Sequence, residues 1–298
     1  MIDAVLQSSS GDLGEELWQV DEELQAVLGA TIDVPVSERF SALGATLLQL
    51  ASFGARRQSC ARLLLGAGAQ LDAHSAAGLG MVEELTQLLT EDPDLRDKWI
   101  DNFSPLQYAI ASDRGSAVRC LLDSGVDPSD PIDKVGWFIW EDEAVSQGLA
   151  GWCPVHMASL HESLAAMEAL VEGGADLGAR CMFGTGVLHL AAMANSPPML
   201  RALVGHGADL DARSGVYSAE VNDLMGGQAS SYTQIVGVRD RTPLMVAAAE
   251  GQIEAVRALL AMGADTSCED SAGRRASDYA RQGFYGGHRG VARLLPEP

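Results

Sequence analysis

Three consecutive carboxylates, Glu141, Asp142 and Glu143, follow Trp137, Phe138 and Trp140 within a single seven-residue stretch. A carboxyl group buried beside indole rings is disfavoured in its charged form. Its proton affinity then rises toward neutrality, and it becomes competent as a general acid or base. The same run on an open surface is simply hydrated. Three of the five tryptophans, Trp137, Trp140 and Trp152, fall within about 128–152. A second segment, about 210–241, carries Tyr217, Glu220, Asn222, Asp223, Tyr232 and Gln234. Rings of this size need a cover, either the body of the protein or something bound to it.

Other reactive residue types are scattered. His156 and His161 are five positions apart, which does not align them on one helix face for a metal. No H-E-x-x-H or G-x-S-x-G occurs, and Gly78-x-Gly80 and Gly184-x-Gly186 do not continue as phosphate loops. Five cysteines, Cys60, Cys120, Cys153, Cys181 and Cys268, form no C-x-x-C pair. They read as reduced thiols, so neither metal nor cofactor is expected. The formal charge is −21, from 41 acidic and 20 basic residues, with no basic stripe. Such a chain repels phosphate backbones and anionic membranes, which argues against nucleic acid and membrane partners. A partner with a basic surface is compatible with the charge, and so is simple solubility. No apolar run is long enough to span a bilayer, and Met1-Ile2-Asp3-Ala4 lacks the basic start of a signal peptide. The expectation is a cytoplasmic protein.

The elements that must hold these residues recur along the chain. The cleanest unit runs from Thr242-Pro243-Leu244-Met245 through Ala247-Ala248 to Leu259-Leu260-Ala261-Met262-Gly263-Ala264-Asp265. Ile253, Val256, Leu259 and Leu260 give its second helix one apolar face, and Gly263 suits the left-handed turn that ends it. Pro105, Pro154 and Pro243 fit a first helical turn, where no amide donor is missed. Aligned on the motif threonine, the units begin at Thr46, Leu71, Ser104, Cys153, Gly186, Thr242 and Arg275, with gaps of 25, 33, 49, 33, 56 and 33. The extra residues of both long gaps lie after a second helix and before the next first helix, and the short gap is trimmed at the same place. His156 and His189 occupy the fourth motif position, where Gln49, Gln107 and Met245 stand elsewhere. A structural role at the turn therefore fits them better than catalysis.

This unit resembles the ankyrin repeat, whose period is about 33. The resemblance covers roughly 39–298. It implies an all-α ankyrin-repeat solenoid of about seven helix-turn-helix units, with two enlarged β-hairpin fingers at about 128–152 and 210–241. Residues 1–38, amphipathic over 14–28, read as an N-terminal helical cap or degenerate repeat. The resemblance further implies a protein-interaction module that holds a partner on its concave, finger-lined face.

Two long fingers flanking the ordinary one at 177–185 would wall a trough lined by Trp137, Trp140, Glu141, Trp152, Arg180, Met182, Phe183, Tyr217 and Tyr232. An apolar hollow with a few polar groups also suits a small apolar ligand. The alternative reading is therefore a small-molecule binder or a cofactor-independent isomerase or cyclase, with Glu141, Asp142 or Glu143 as its acid or base. Unfolding the protein without reductant should expose five titratable thiols; recovery of fewer from unoxidised protein would contradict the reading of the cysteines as reduced.

Overall fold

The computed structural model describes residues 39–40, 45–54, 57–100, 103–130, 152–181, 184–215, 240–282 and 288–296. Among the described residues the α-helices come in seven successive pairs. They are α1 (Leu47–Ser52) with α2 (Gln58–Gly66), α3 (Ala73–Leu79) with α4 (Val82–Glu91), and α5 (Pro105–Ala111) with α6 (Gly115–Asp123). Next come α7 (Pro154–Leu160) with α8 (Leu164–Glu172), and α9 (Val187–Met193) with α10 (Pro197–Gly205). The last are α11 (Pro243–Ala249) with α12 (Ile253–Ala261), and α13 (Ala276–Gln282) with α14 (His288–Ala292). First helices stack on first helices throughout, and second on second from the second pair onward, so each pair meets its sequence neighbours. A two-residue ladder, β1 (Arg39–Phe40) against β2 (Ala45–Thr46), precedes the first pair. The expected helical cap at 1–38 and both enlarged fingers fall outside the described residues, apart from their roots.

Stacking supplies the burial that one pair cannot achieve alone. Val118 with Leu121, Met167 with Leu170, and Val256 with Leu259 are fully buried on the inner faces of α6, α8 and α12. One core cluster runs from Ala73 to Leu295. The first pair has its own small core around Leu48, Cys60 and Leu64, and Leu71 packs against both.

Each first helix opens on a cap. Thr46, Ser104, Cys153, Gly186 and Thr242 stand at the N-cap in extended conformation, and the residue three positions on folds back to accept the cap's amide proton. The acceptors are Gln49 Oε1 at 2.7 Å, Gln107 Oε1 at 2.6 Å, His156 Nδ1 at 3.0 Å, His189 Nδ1 at 3.3 Å and Met245 Sδ at 3.4 Å. Asp278 does the same for Arg275 at 2.8 Å. The second unit keeps the 33-residue register to the third, with Val82 and Gly115 opening the second helices and Gly80 and Asp113 at the turns, but its cap falls one residue later than the aligned position. Its cap is Asp72, whose Oδ1 accepts from the Ser75 amide at 3.0 Å, and Leu71 lies one residue before it. The shift follows from chemistry: an aspartate side chain can accept the orphan amide and a leucine side chain cannot.

Glycines 68, 125, 174, 207 and 263 close the second helices with φ between 92° and 100°. Inside the pairs, the turn residue is also left-handed: Gly80, Asp113, Glu162, Asn195 and Gly251. Two of these reach across to the next unit. Asp113 Oδ1 accepts from Ala166 N at 3.0 Å, and Asn195 Oδ1 from Ala255 N at 2.9 Å. Each therefore caps a helix of its neighbour while holding a conformation that suits asparagine, aspartate and glycine. Asn195→Ala loses both features and should cost about 1–2 kcal/mol in urea unfolding at unchanged slope, whereas Asn195→Gly, free of backbone strain, should cost less.

Candidate functional site

The fold-back side chain has a second polar atom, and the fate of that atom differs along the array. His189 Nδ1 accepts from the Gly186 amide, so the ring proton sits on Nε2, which donates to the Arg241 carbonyl at 2.9 Å. Gln49 Nε2 donates to Asp72 Oδ2 at 3.0 Å. In the third and fourth units the corresponding donors are buried and less well placed: Gln107 Nε2 has no partner among the described residues, and His156 Nε2 closes no hydrogen bond of ordinary geometry although the ring interacts with the Ala179 and Thr185 carbonyls. Trp152 Nε1 is also buried with no partner among the described residues. Its indole lies against the His156 ring, with centroids 5.9 Å apart. Poorly satisfied donors thus stand at the N-terminal end of α5 and at that of α7, where the chain returns from the first long insertion. A buried donor without an acceptor costs about 1–3 kcal/mol.

The finger between the fourth and fifth units occupies 179–186. Arg180 pairs with Gly186, Cys181 N donates to Thr185 O at 3.1 Å, and Gly184 N to Cys181 O at 2.7 Å. This finger is clamped to the start of the second insertion by Gly215 N, which donates to Gly184 O at 2.7 Å. Only glycine fits there: a Cβ on Gly184, whose φ is 68°, would lie 2.3 Å from Gly215 Cα. The base of that insertion is closed by Ser214 N to Arg241 O at 2.8 Å and Asp240 N to Ser214 O at 3.2 Å. The finger therefore meets Ser214–Gly215, at the root of the second insertion, and follows in the chain the unit whose first helix begins beside Trp152, at the root of the first.

Of the residues singled out from sequence, the structure describes Trp152 and Arg180. Arg180 is exposed on the finger. Trp152 is a core residue, 5% exposed. Trp137, Trp140, Glu141, Asp142, Glu143, Met182, Phe183, Tyr217 and Tyr232 lie outside the described residues. Sequence reasoning missed the poorly satisfied donors, because a glutamine or histidine at the fourth motif position reads the same whether its outer atom is used or not. It also missed the Gly184–Gly215 contact, for which the only signal was a glycine standing on each side.

The remaining chemistry is muted. Among the described residues no group of three or more His, Cys, Asp and Glu is placed to hold a metal ion. Burial pushes the Cys153 and Cys268 thiols up, away from the nucleophilic thiolate. Burial also pushes His156 and His189 down to about 4 from an ordinary 6.5, so both imidazoles are neutral in the folded protein near pH 7. The unfolded chain takes up these protons below about 6.5 while the folded one does not. The stability contributed by these rings is therefore present above 6.5 and lost as pH falls toward 4. His156→Gln with His189→Gln, copying Gln49 and Gln107, should flatten that loss in denaturant titrations between pH 7 and pH 4.5, measured as the difference from the unaltered chain.

The comparisons with known proteins agree with this architecture. The family profile described as "Ankyrin repeats (3 copies)" matches residues 73–180, and the profile "Ankyrin repeat" matches 184–215 and again 239–271. Among solved structures, the chain is similar to the one titled "Crystal structure of the ankyrin repeat domain of Bcl-3: a unique member of the IkappaB protein family". The TM-score is 0.54 and the identity 22%, over 76% of this chain and 85% of that one. At that identity the likeness concerns the fold. No curated protein matches the sequence significantly. Among the described residues no helix is long and apolar enough to cross a membrane. Arrays of this kind are in general protein-interaction modules. By its matched profiles, its seven stacked helix pairs and the recurring cap that opens them, the chain belongs to the ankyrin repeat family.

Proposed function

We propose that this protein holds a protein partner on its concave, finger-lined face, gripped by the inserted segments 128–152 and 210–241 on either side of the 179–186 finger. One observation carries the reading. The root of the second insertion is clamped to this finger through Gly215, and at the root of the first the buried Trp152 indole N–H has no acceptor among the described residues and its ring lies against His156. Helix stacking accounts for the core positions of every unit, so recognition falls to the places where the repeat is broken. Trp137, Trp140, Tyr217 and Tyr232 supply aromatic anchors, and Arg180, Met182 and Phe183 the finger between them. Large aromatic side chains and arginine dominate binding energy at protein interfaces. The charge of −21 favours a partner with a basic surface.

The test compares partner capture by chemical cross-linking for the unaltered chain and for Trp137→Ala with Trp140→Ala. The double variant should lose the captured partner while its far-UV circular dichroism stays helical. Capture that survives cutting both insertions back to ordinary finger length would place recognition elsewhere. Should turnover of a small apolar compound be found instead, Glu141→Gln, Asp142→Asn or Glu143→Gln would lower the rate with affinity kept, whereas a binding module loses affinity alone.

A further inference from the structure

The row of fingers has a gap near its N-terminal end. Between second and first helices the chain ordinarily takes 14 residues, as at 173–186 and 262–275, but the connection from α2 to α3 takes only the six residues 67–72. Three of the other connections fold back on themselves among the described residues. Ile100 and Phe103 exchange both main-chain bonds at 2.9 Å, Arg180 pairs with Gly186, and Asp270 N donates to Arg274 O at 2.9 Å. Gln70 and Leu71 have no return strand, and neither their amides nor their carbonyls find a partner among the described residues. On one side of them stands the β1–β2 ladder ending at Thr46, and on the other the 98–103 turn.

A cavity of about 260 Å³ occupies the place of the missing finger. Leu48, Leu71, Leu95 and Ile100 give it apolar walls, with Asp72 and Lys98 among the polar lining groups. The polar groups on its floor are already engaged. Gln49 Nε2 donates to Asp72 Oδ2 at 3.0 Å, and His74 Nε2 meets the Lys98 carbonyl at 2.9 Å. What is left over is a short main-chain edge beside an apolar hollow. That combination recognises extended peptide: main-chain bonds give affinity, and a pocket reads one side chain.

We infer that this slot takes an extended segment of a protein partner, which pairs with the main chain of Gln70 and Leu71 and inserts an aliphatic side chain between Leu48, Leu71, Leu95 and Ile100. The segment replaces the finger that the second unit lacks. Basic residues flanking the aliphatic one suit the chain's charge of −21. This surface lies between the first and second units and the 179–186 finger between the fourth and fifth, so either can fail without the other.

The probe is an acetylated, amidated pentapeptide, Lys-Val-Leu-Val-Lys, titrated into the full chain and followed by amide chemical shifts. Two control peptides replace the three central residues with serine or the lysines with glutamate. The aliphatic basic peptide should shift Gln70, Leu71, Lys98 and Ile100 in a saturable way. The serine peptide should shift none of them, and the glutamate peptide should bind at least threefold more weakly. Leu71→Arg, which fills the hollow, should abolish the shifts. If that variant fails to fold, Lys98→Glu at the exposed rim should tighten the basic peptide two- to threefold. Shifts that ignore the aliphatic residue, or that appear away from 70–72, would overturn the inference. So would contacts from residues 1–38 to Leu48 and Leu71 that persist with peptide in excess.

Discussion

At six of the seven described first helices the N-cap amide has no carbonyl one turn back to meet it, and it is buried or half-buried. A side chain three residues on must therefore turn back and accept its proton. Gln49, Gln107, His156, His189, Met245 and Asp278 all do so, with oxygen, nitrogen or sulfur. The geometric demand is strict and the chemical demand is loose, and any acceptor of the right reach satisfies it. Because the cap fixes where the helix starts, it also fixes where the preceding finger ends. The pitch of the fingers and the face they present follow from a few hydrogen bonds about 3 Å long.

The outer atom of the same side chain ties one unit to the next. His189 reaches the Arg241 carbonyl, and Gln49 reaches the Asp72 carboxylate where the finger is too short to offer a carbonyl. Asp72 thus has two roles: it caps α3 through Oδ1 and receives Gln49 through Oδ2. In the third unit this tie is unmade, and in the fourth His156 interacts with the Ala179 and Thr185 carbonyls without closing a hydrogen bond of ordinary geometry. The array is therefore uneven, with closed junctions toward its C-terminal end and poorly satisfied donors beside the first insertion. The C-terminal closure is tight. Tyr279 lies between the Arg241 and Arg274 guanidiniums, with its hydroxyl bonded to buried Asp270, and burial and that carboxylate push the phenol up to about 12.

Much of this was legible in the residues. The Leu-Leu pairs and the closing glycines fixed the second helices, and Pro105, Pro154 and Pro243 marked first-turn positions. The alignment on the motif threonine placed Leu71 where a cap stands in other units, whereas the cap is the next residue, Asp72, whose carboxylate can accept the orphan amide. The site was less legible. Trp152 stood out as an aromatic in an insertion, yet it is core, since it lies one residue before the Cys153 cap, where the chain is already held by the array. The Gly184–Gly215 contact joins residues 31 positions apart, and no local period encodes it. The hollow beside Gln70 and Leu71 is the product of a deletion, which a sequence shows only as a shortened gap.

The central claim is that the two insertions meet over the 179–186 finger. Carboxylate-specific cross-linking of the intact chain with a short dihydrazide tests it without any partner. The account predicts links from Glu141, Asp142 or Glu143 to Glu220 or Asp223. If those carboxylates react but link only within their own insertion or to the outer helices, the insertions do not share a site and the claim is wrong.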